Sequence, residues 1–185
     1  MCIRDRLVLH MTSHGSRRHR FSVSLESLKL KDISAADLGE IVNGADLPWR
    51  VVVVSACFSG GYIDALKSPR AIVITAASAR RMSFGCENGR DYTYFGAAFF
   101  RDSLTDGDYR GAFERAAVLV RKREKRKGFK HSYPQIWVGE DIADKLPLVR
   151  AADLGPSPEE VTAHASSTHH LRNCAGTHDS ARGRE

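Results

Sequence analysis

The chain has 185 residues, 42% of them hydrophobic and 27% charged, with a formal net charge of +6. That length supports one domain with its own core, and the balance excludes an intrinsically disordered or fibrous chain. The longest apolar runs, Leu7-Val8-Leu9 and Val51 to Val54, fall far short of the roughly 20 residues that span a bilayer, so no membrane contact is expected from the residues present.

Met1-Cys2-Ile3-Arg4-Asp5-Arg6 resembles the translated sequencing-adapter residue seen at the ends of metagenomic fragments. Residues 1–6 are therefore expected to be a non-native start, with any signal or anchor lost along with the natural N-terminus. The compartment is left open. Leu7 to Thr12 is predicted to be a buried strand running into Ser13-His14-Gly15-Ser16, and Phe21 to Leu25 alternates as a half-exposed strand does. Ser34, with Asp37 three residues on, has the form of a helix cap. Leu38, Ile41, Val42 and Ala45 then recur on one helical face before Asn43-Gly44 begins the stop. The β-branched run Val51 to Val54 suits a central parallel strand covered on both faces; it ends in Ser55-Ala56-Cys57-Phe58-Ser59-Gly60-Gly61. A short helix at Tyr62 to Leu66 and a buried strand at Ala71 to Thr75 follow. Helices are predicted from Tyr94 to Leu104 and from Asp108 to Lys125, the latter with Tyr109, Phe113, Ala116, Ala117 and Val120 inward. Gln135 to Val138 reads as a short strand and Asp141 to Leu146 as a short helix. From about Ala151 the apolar periodicity gives way to Pro, Ser, Thr and His, so residues 151–185 are expected to be a disordered or non-native tail. Strands alternating with helices imply an α/β fold with right-handed crossovers.

The chemistry lies in where the strands end. If the first strand and the Val51 strand are parallel, His14 and Cys57 emerge at the same carboxyl edge, where open α/β sheets place their ligands. A cysteine acts as a nucleophile through its thiolate, which a neighbouring imidazolium favours. His14 then serves as general acid toward a leaving amine. Ser59, Gly60 and Gly61 allow close backbone approach, and the amides of Gly15 and Cys57 are the expected oxyanion donors. The cysteines Cys2, Cys57, Cys86 and Cys174 have no C-x-x-C spacing. They form neither a disulfide framework nor a zinc site, and no metal or cofactor is expected.

Several motifs together resemble a known family. One buried strand ends in His-Gly and another in Ala-Cys, as in the caspase-like cysteine peptidases; within these the sequence is similar to the legumain family, especially its bacterial members. Thr12-Ser13-His14-Gly15-Ser16 matches the histidine motif and Ser55 to Gly61 the nucleophile motif. Leu28 to Asp32, Thr75-Ala76-Ala77, Ser83-Phe84-Gly85-Cys86 and Tyr92-Thr93-Tyr94-Phe95-Gly96 match stretches around them, so the likeness runs from about Leu7 to Leu146. The resemblance implies a caspase-like three-layer fold with a mostly parallel central sheet, filling residues 7–150 and lacking its first strand or strands. It implies a cysteine endopeptidase acting on a peptide or protein substrate, with Cys57 as nucleophile, His14 as catalytic histidine, Gly15 at the oxyanion position and Ser83 lining the primary pocket. Phe58 stands where legumain has an acidic pocket residue, and Ala97 follows Gly96 where legumain has Asp. Those departures remove the grounds for expecting cleavage after Asn. The family's early Asn and a pocket Arg would precede Leu7.

Three rival readings go with this one. The same fold can serve as a catalytically inactive binding module. Ser59 could be a hydrolase nucleophile, except that Cys57 occupies the first glycine position of the Gly-x-Ser-x-Gly elbow. The run Arg121 to Lys127 invites nucleic-acid binding, but it sits at the end of a helix, where cations suit the dipole. No nucleic-acid partner is expected. His10 and His131 read as structural or surface residues, His19 as part of an exposed loop between two arginines, and Cys86 as packing.

Overall fold

A computed structural model describes residues 5–24, 28, 30–87, 89–105 and 107–143. The chain divides into residues 1–151 and 152–185. The second unit, and most of the expected non-native start, lie outside the described residues.

In chain order the elements are β1 (Arg6–Thr12), the two-residue strands β2 (Arg20–Phe21) and β3 (Ile33–Ser34), α1 (Ala35–Gly44) and β4 (Trp49–Ser55). A 3₁₀ turn at Ser59–Tyr62 runs into α2 (Ile63–Leu66), followed by β5 (Ala71–Thr75). Then come α3 (Tyr94–Gly96), continued by a π-helical turn at Ala97–Arg101, α4 (Tyr109–Arg126), β6 (Gln135–Val138) and α5 (Glu140–Ala143). The main sheet has the order β1-β4-β5-β6. β1, β4 and β5 are parallel, and β6 closes the far edge antiparallel to β5.

The sheet is the middle of three layers. Val52, Val54 and Val73 face α1 and α2, packing with Leu38, Val42, Tyr62 and Leu66. Val51, Val53, Ile72 and Ile74 face the other way, onto Phe95, Phe99 and the Ala112–Ala116–Val120 stripe of α4. Two-sided burial is why β4 and β5 are runs of Val and Ile rather than alternating strands. Each such side chain contributes about 1.5–3 kcal/mol through burial.

The expected elements are present among the described residues, except that residues 144–146 of the helix expected from Asp141 to Leu146 lie outside them, and there are four differences. β1 is not buried throughout: its residues alternate between half-buried and exposed, because Leu7, Leu9 and Met11 pack on the α1 side while Val8 stays open. The α1 face is turned from the one predicted, with Gly39 buried and Ile41 64% exposed. Gly39 brings the helix backbone so close to α2 that a Cβ there would meet the Ala65 carbonyl at 2.8 Å. The capping box is as read: the Ser34 hydroxyl accepts from the Asp37 amide, and the Asp37 carboxylate accepts from the Ser34 amide. In α4 the buried stripe is Tyr109, Ala112, Ala116, Val120 and Glu124, with Phe113 only partly covered. Of the expected strand from Phe21 to Leu25, only Phe21 is extended with a partner, and residue 25 lies outside the described residues.

Candidate active site

Register decides the geometry. Thr12 of β1 lies opposite Ser55 of β4 in a parallel pair, so both strands leave the sheet at one edge. The Ser13 amide donates to the Ser55 carbonyl at 3.3 Å, carrying the ladder one step further. His14, exposed, comes next on one side and Cys57, half-buried, on the other. The chain then folds back: the Ser22 amide donates to the His14 carbonyl at 2.9 Å, and Gly15 bridges Phe21. A Cβ on Gly15 would run into the carbonyl oxygen of Cys57. Only glycine lets the two strand ends come this close.

The segment after Cys57 is held from three sides. At its base, the buried Ser55 and Thr93 hydroxyls share a hydrogen bond of 2.9 Å, tying β4 to the start of α3. Phe58 takes the left-handed conformation, φ 59°, and is nonetheless 8% exposed. Its amide donates to the Arg81 carbonyl at 2.8 Å, and its carbonyl accepts from Nδ1 of His19 at 3.0 Å, which requires the tautomer with Nδ1 protonated. The His19 ring packs flat against Gly61, where any side chain would collide with it. Gly60 donates to the Ala77 carbonyl at 2.8 Å. A non-glycine residue conformed as Phe58 is costs of order 1–3 kcal/mol, and such strain gathers at sites that the surroundings over-determine.

Ser59 is not available for chemistry. It is fully buried, and its hydroxyl donates to the Ala77 carbonyl at 3.4 Å while accepting from the Ala77 amide at 3.2 Å. The serine-nucleophile reading falls with this observation.

The sulfur of Cys57 meets the main chain of Ser83, donating to its carbonyl at 3.3 Å and accepting from its amide at 3.4 Å. Gly15, Cys57 and Ser83 are thus brought together through backbone. Among the described residues, neither the Gly15 amide nor the Cys57 amide donates a hydrogen bond, and both residues are reached by solvent. Two unengaged N–H groups beside a thiol can bind an oxygen carrying negative charge. Cys86, three residues beyond Ser83, has its thiol pushed up by partial burial and, less, by the nearby Cys57. No group of three His, Cys, Asp or Glu among the described residues is arranged to hold a metal ion.

Over residues 3–145 the chain matches the model of the peptidase C13 family. The chain belongs to this family. No curated protein matches it. Membership in the C13 (legumain) family makes it a cysteine peptidase by descent, a hydrolase whose substrates are peptides or proteins, and its mixed α/β architecture is that of the caspase-like fold. No helix among the described residues is long and apolar enough to cross a membrane.

Beside the Cys57 segment of this C13 chain lies an open cleft of about 390 Å³, lined by Phe58, Met82, Phe84 and Phe129 together with Arg17, Arg80, Arg81 and Lys130. Phe84 and Phe129 stack in its wall, ring centroids 4.4 Å apart. Phe58 therefore belongs both to the Cys57 segment, through its main chain, and to the cleft, through its ring. Two residues escaped the sequence reading. His19 is half-buried and braces Phe58 rather than lying in an exposed loop. Set between Arg18 and Arg20, it carried no apolar signal that could have revealed this. Glu124, in the middle of the basic run, is 1% exposed; its carboxylate meets Nδ1 of His131 at 2.6 Å and accepts from the Ser132 amide at 3.1 Å. It anchors the segment that carries Phe129 and Lys130 into the cleft.

Proposed function

We propose that the chain is a cysteine endopeptidase with Cys57 as nucleophile and His14 as its proton-transfer partner. The observation that carries this reading is the seating of Gly15 on the Cys57 carbonyl, because it holds the residue after the histidine against the cysteine itself. The thiol proton passes to the imidazole as sulfur attacks a peptide carbonyl, forming a C–S bond and a tetrahedral oxyanion. The free amides of Gly15 and Cys57 donate to that oxygen. The C–N bond then breaks, and His14 returns the proton to the leaving amine. Water attacks the acyl-enzyme, giving a proton to His14; collapse expels the sulfur, which recovers that proton, and a carboxylic acid leaves. The cycle needs no metal or organic cofactor. Ser83 and Phe58 flank the scissile bond as substrate contacts, and the peptidase domain is residues 7–150. The rival reading, an inactive binding module, draws on the sulfur being tied to Ser83 in the absence of substrate.

Iodoacetamide labelling with mass mapping, alongside hydrolysis of mixed fluorogenic peptides, tests the proposal. Cys57 is expected to label faster than the more exposed Cys86. Cys57→Ala and His14→Ala are each expected to lower kcat/KM by about 10³-fold or more. Labelling confined to Cys86, with Cys57 inert and no peptide hydrolysed, would overturn the peptidase in favour of the binding module.

A further inference from the structure

Resting on the peptidase reading, we infer that the cleft beside Cys57 selects substrates carrying an acidic segment next to the scissile bond. The cleft adjoins the site through chain neighbours of its residues. Phe58 in its wall follows Cys57 directly, and Met82 and Phe84 flank Ser83, whose main chain holds the Cys57 sulfur. Four cations line it and no carboxylate does. Some cations elsewhere among the described residues are matched with acids, as Lys67 is with Asp64, Arg70 with Asp141, Arg90 with Glu87, Arg101 with Asp102 and Arg115 with Asp108, while others, such as those along the exposed side of α4, are not. Among the described residues, Arg17, Arg80, Arg81 and Lys130 form no ion pair.

Two of these cations are oriented rather than loose. The Arg17 guanidinium lies over the Phe58 ring at 5.6 Å and that of Arg81 over Tyr133 at 5.6 Å. A guanidinium held near a ring in this way spends none of its N–H donors on the ring and can still grip a carboxylate with paired hydrogen bonds. The larger hollow of about 480 Å³ around Arg101, Arg123 and Arg126 is a poorer anion site, because Asp102 lines it and already pairs with Arg101 at 2.7 Å. A peptide with Asp or Glu beside the cut would place its carboxylates among four unneutralised charges and an apolar side chain against the Phe84–Phe129 wall.

Fluorescence anisotropy with the full Cys57→Ala chain tests this directly, using labelled peptides of one length that differ only in bearing Asp/Glu, Asn/Gln or Lys beside the scissile position. The acidic peptide is expected to bind about tenfold tighter than the amide peptide at about 0.05 M salt, the gap narrowing several-fold at about 0.5 M as the charges are screened. Arg80→Gln with Lys130→Gln should erase most of the preference, while Arg80→Lys with Lys130→Arg should keep it. Equal binding of acidic and amide peptides would overturn the inference, as would a preference untouched by the glutamine pair or an RNA oligomer binding as tightly as the acidic peptide. The same peptides given to the unsubstituted chain separate the two readings. Acid-selective binding without any cleavage sinks the peptidase and leaves the cleft assignment standing; cleavage indifferent to acidic residues does the reverse.

Discussion

Replacing Gly15 by alanine probes the junction on which the site depends. The added Cβ would run into the Cys57 carbonyl oxygen and lie 3.1 Å from the Cys57 carbonyl carbon and 3.2 Å from the Ala56 Cβ. These atoms are backbone, or fixed to it, in a segment already held by Arg81, His19 and Ala77, so no side chain can swing away. Carbon and oxygen settle at roughly 3.3 Å or more, so one strand end must move on the order of 1 Å. Overpacking of this kind costs about 1–3 kcal/mol, and at about 2–4 °C per kcal/mol the Tm should drop by about 5 °C. Under the proposed function the same shift carries the Gly15 amide away from the oxyanion, and losing one such donor is expected to lower kcat by about 10²–10³-fold. Gly44→Ala is the control. The substitution is identical, but nothing lies within 4 Å of the new methyl at the end of α1. It should leave turnover alone and stabilise by up to about 1 kcal/mol through helix propensity. Thermal melts and peptide hydrolysis on the two variants decide the matter. A Gly15→Ala chain that melts and turns over like the parent would refute the reasoning.

The remaining expectations concern what supports the site. Glu124→Leu strands the His131 ring and the Ser132 amide, and should cost about 2–4 kcal/mol in urea titrations with an unchanged m value; an unshifted midpoint contradicts the anchor. His19→Ala removes the bond to the Phe58 carbonyl and the packing on Gly61, and should cost about 1–2 kcal/mol and slow alkylation of Cys57; parental melting and labelling would show that His19 braces nothing. The His10 ring lies tilted against Phe100, centroids 4.3 Å apart, and this partial burial lowers its pKa. The folded chain therefore binds this proton less readily than the unfolded one. The associated stability is present above about pH 6.5 and is lost as the pH falls from there toward the depressed folded value. Comparing melts at about pH 7.5 and 5.0, His10→Phe should lose less stability than the parent on acidification; an equal loss would exclude His10 as the source.

The legible parts of this chain are those where one physical signal acts alone. β5 was readable to the residue because a strand covered on both faces must be continuously apolar, and Ala71 to Thr75 is buried throughout. The start of α1 was readable because Ser34 and Asp37 satisfy each other's amides within four residues. The convergence of His14 and Cys57 on one edge followed from parallel strands, which the register of Thr12 on Ser55 bears out. Competing signals hid the rest. The direction of β6 is not encoded in four residues; its pairing with β5 is what makes it antiparallel. Glu124 is surrounded in sequence by Arg and Lys, so only the arrival of His131 and Ser132 from a distant segment explains its burial. The inward stripe of α4 runs through Ala112, while Phe113 packs partly buried at the margin of the same cluster as Phe95 and Phe99.

Phe58 joins two kinds of construction. Around Cys57 the geometry is written in backbone: Gly15 against a carbonyl, the sulfur on the Ser83 main chain, the Phe58 amide and carbonyl each engaged, Gly60 hard against residues 78 and 79. Main-chain contacts of this kind tolerate many side chains nearby but few changes among the glycines and small residues themselves, which is why the motif reads so clearly in the sequence. The cleft is instead written in side chains, Arg17, Arg80, Arg81 and Lys130, any of which can change without moving a strand. Under the proposed function, the proton and sulfur chemistry is then set by the sheet edge and the choice of substrate by the loops. The left-handed backbone of Phe58 couples them, since it lets one residue keep its main chain in the nucleophile segment while its ring lies beneath Arg17.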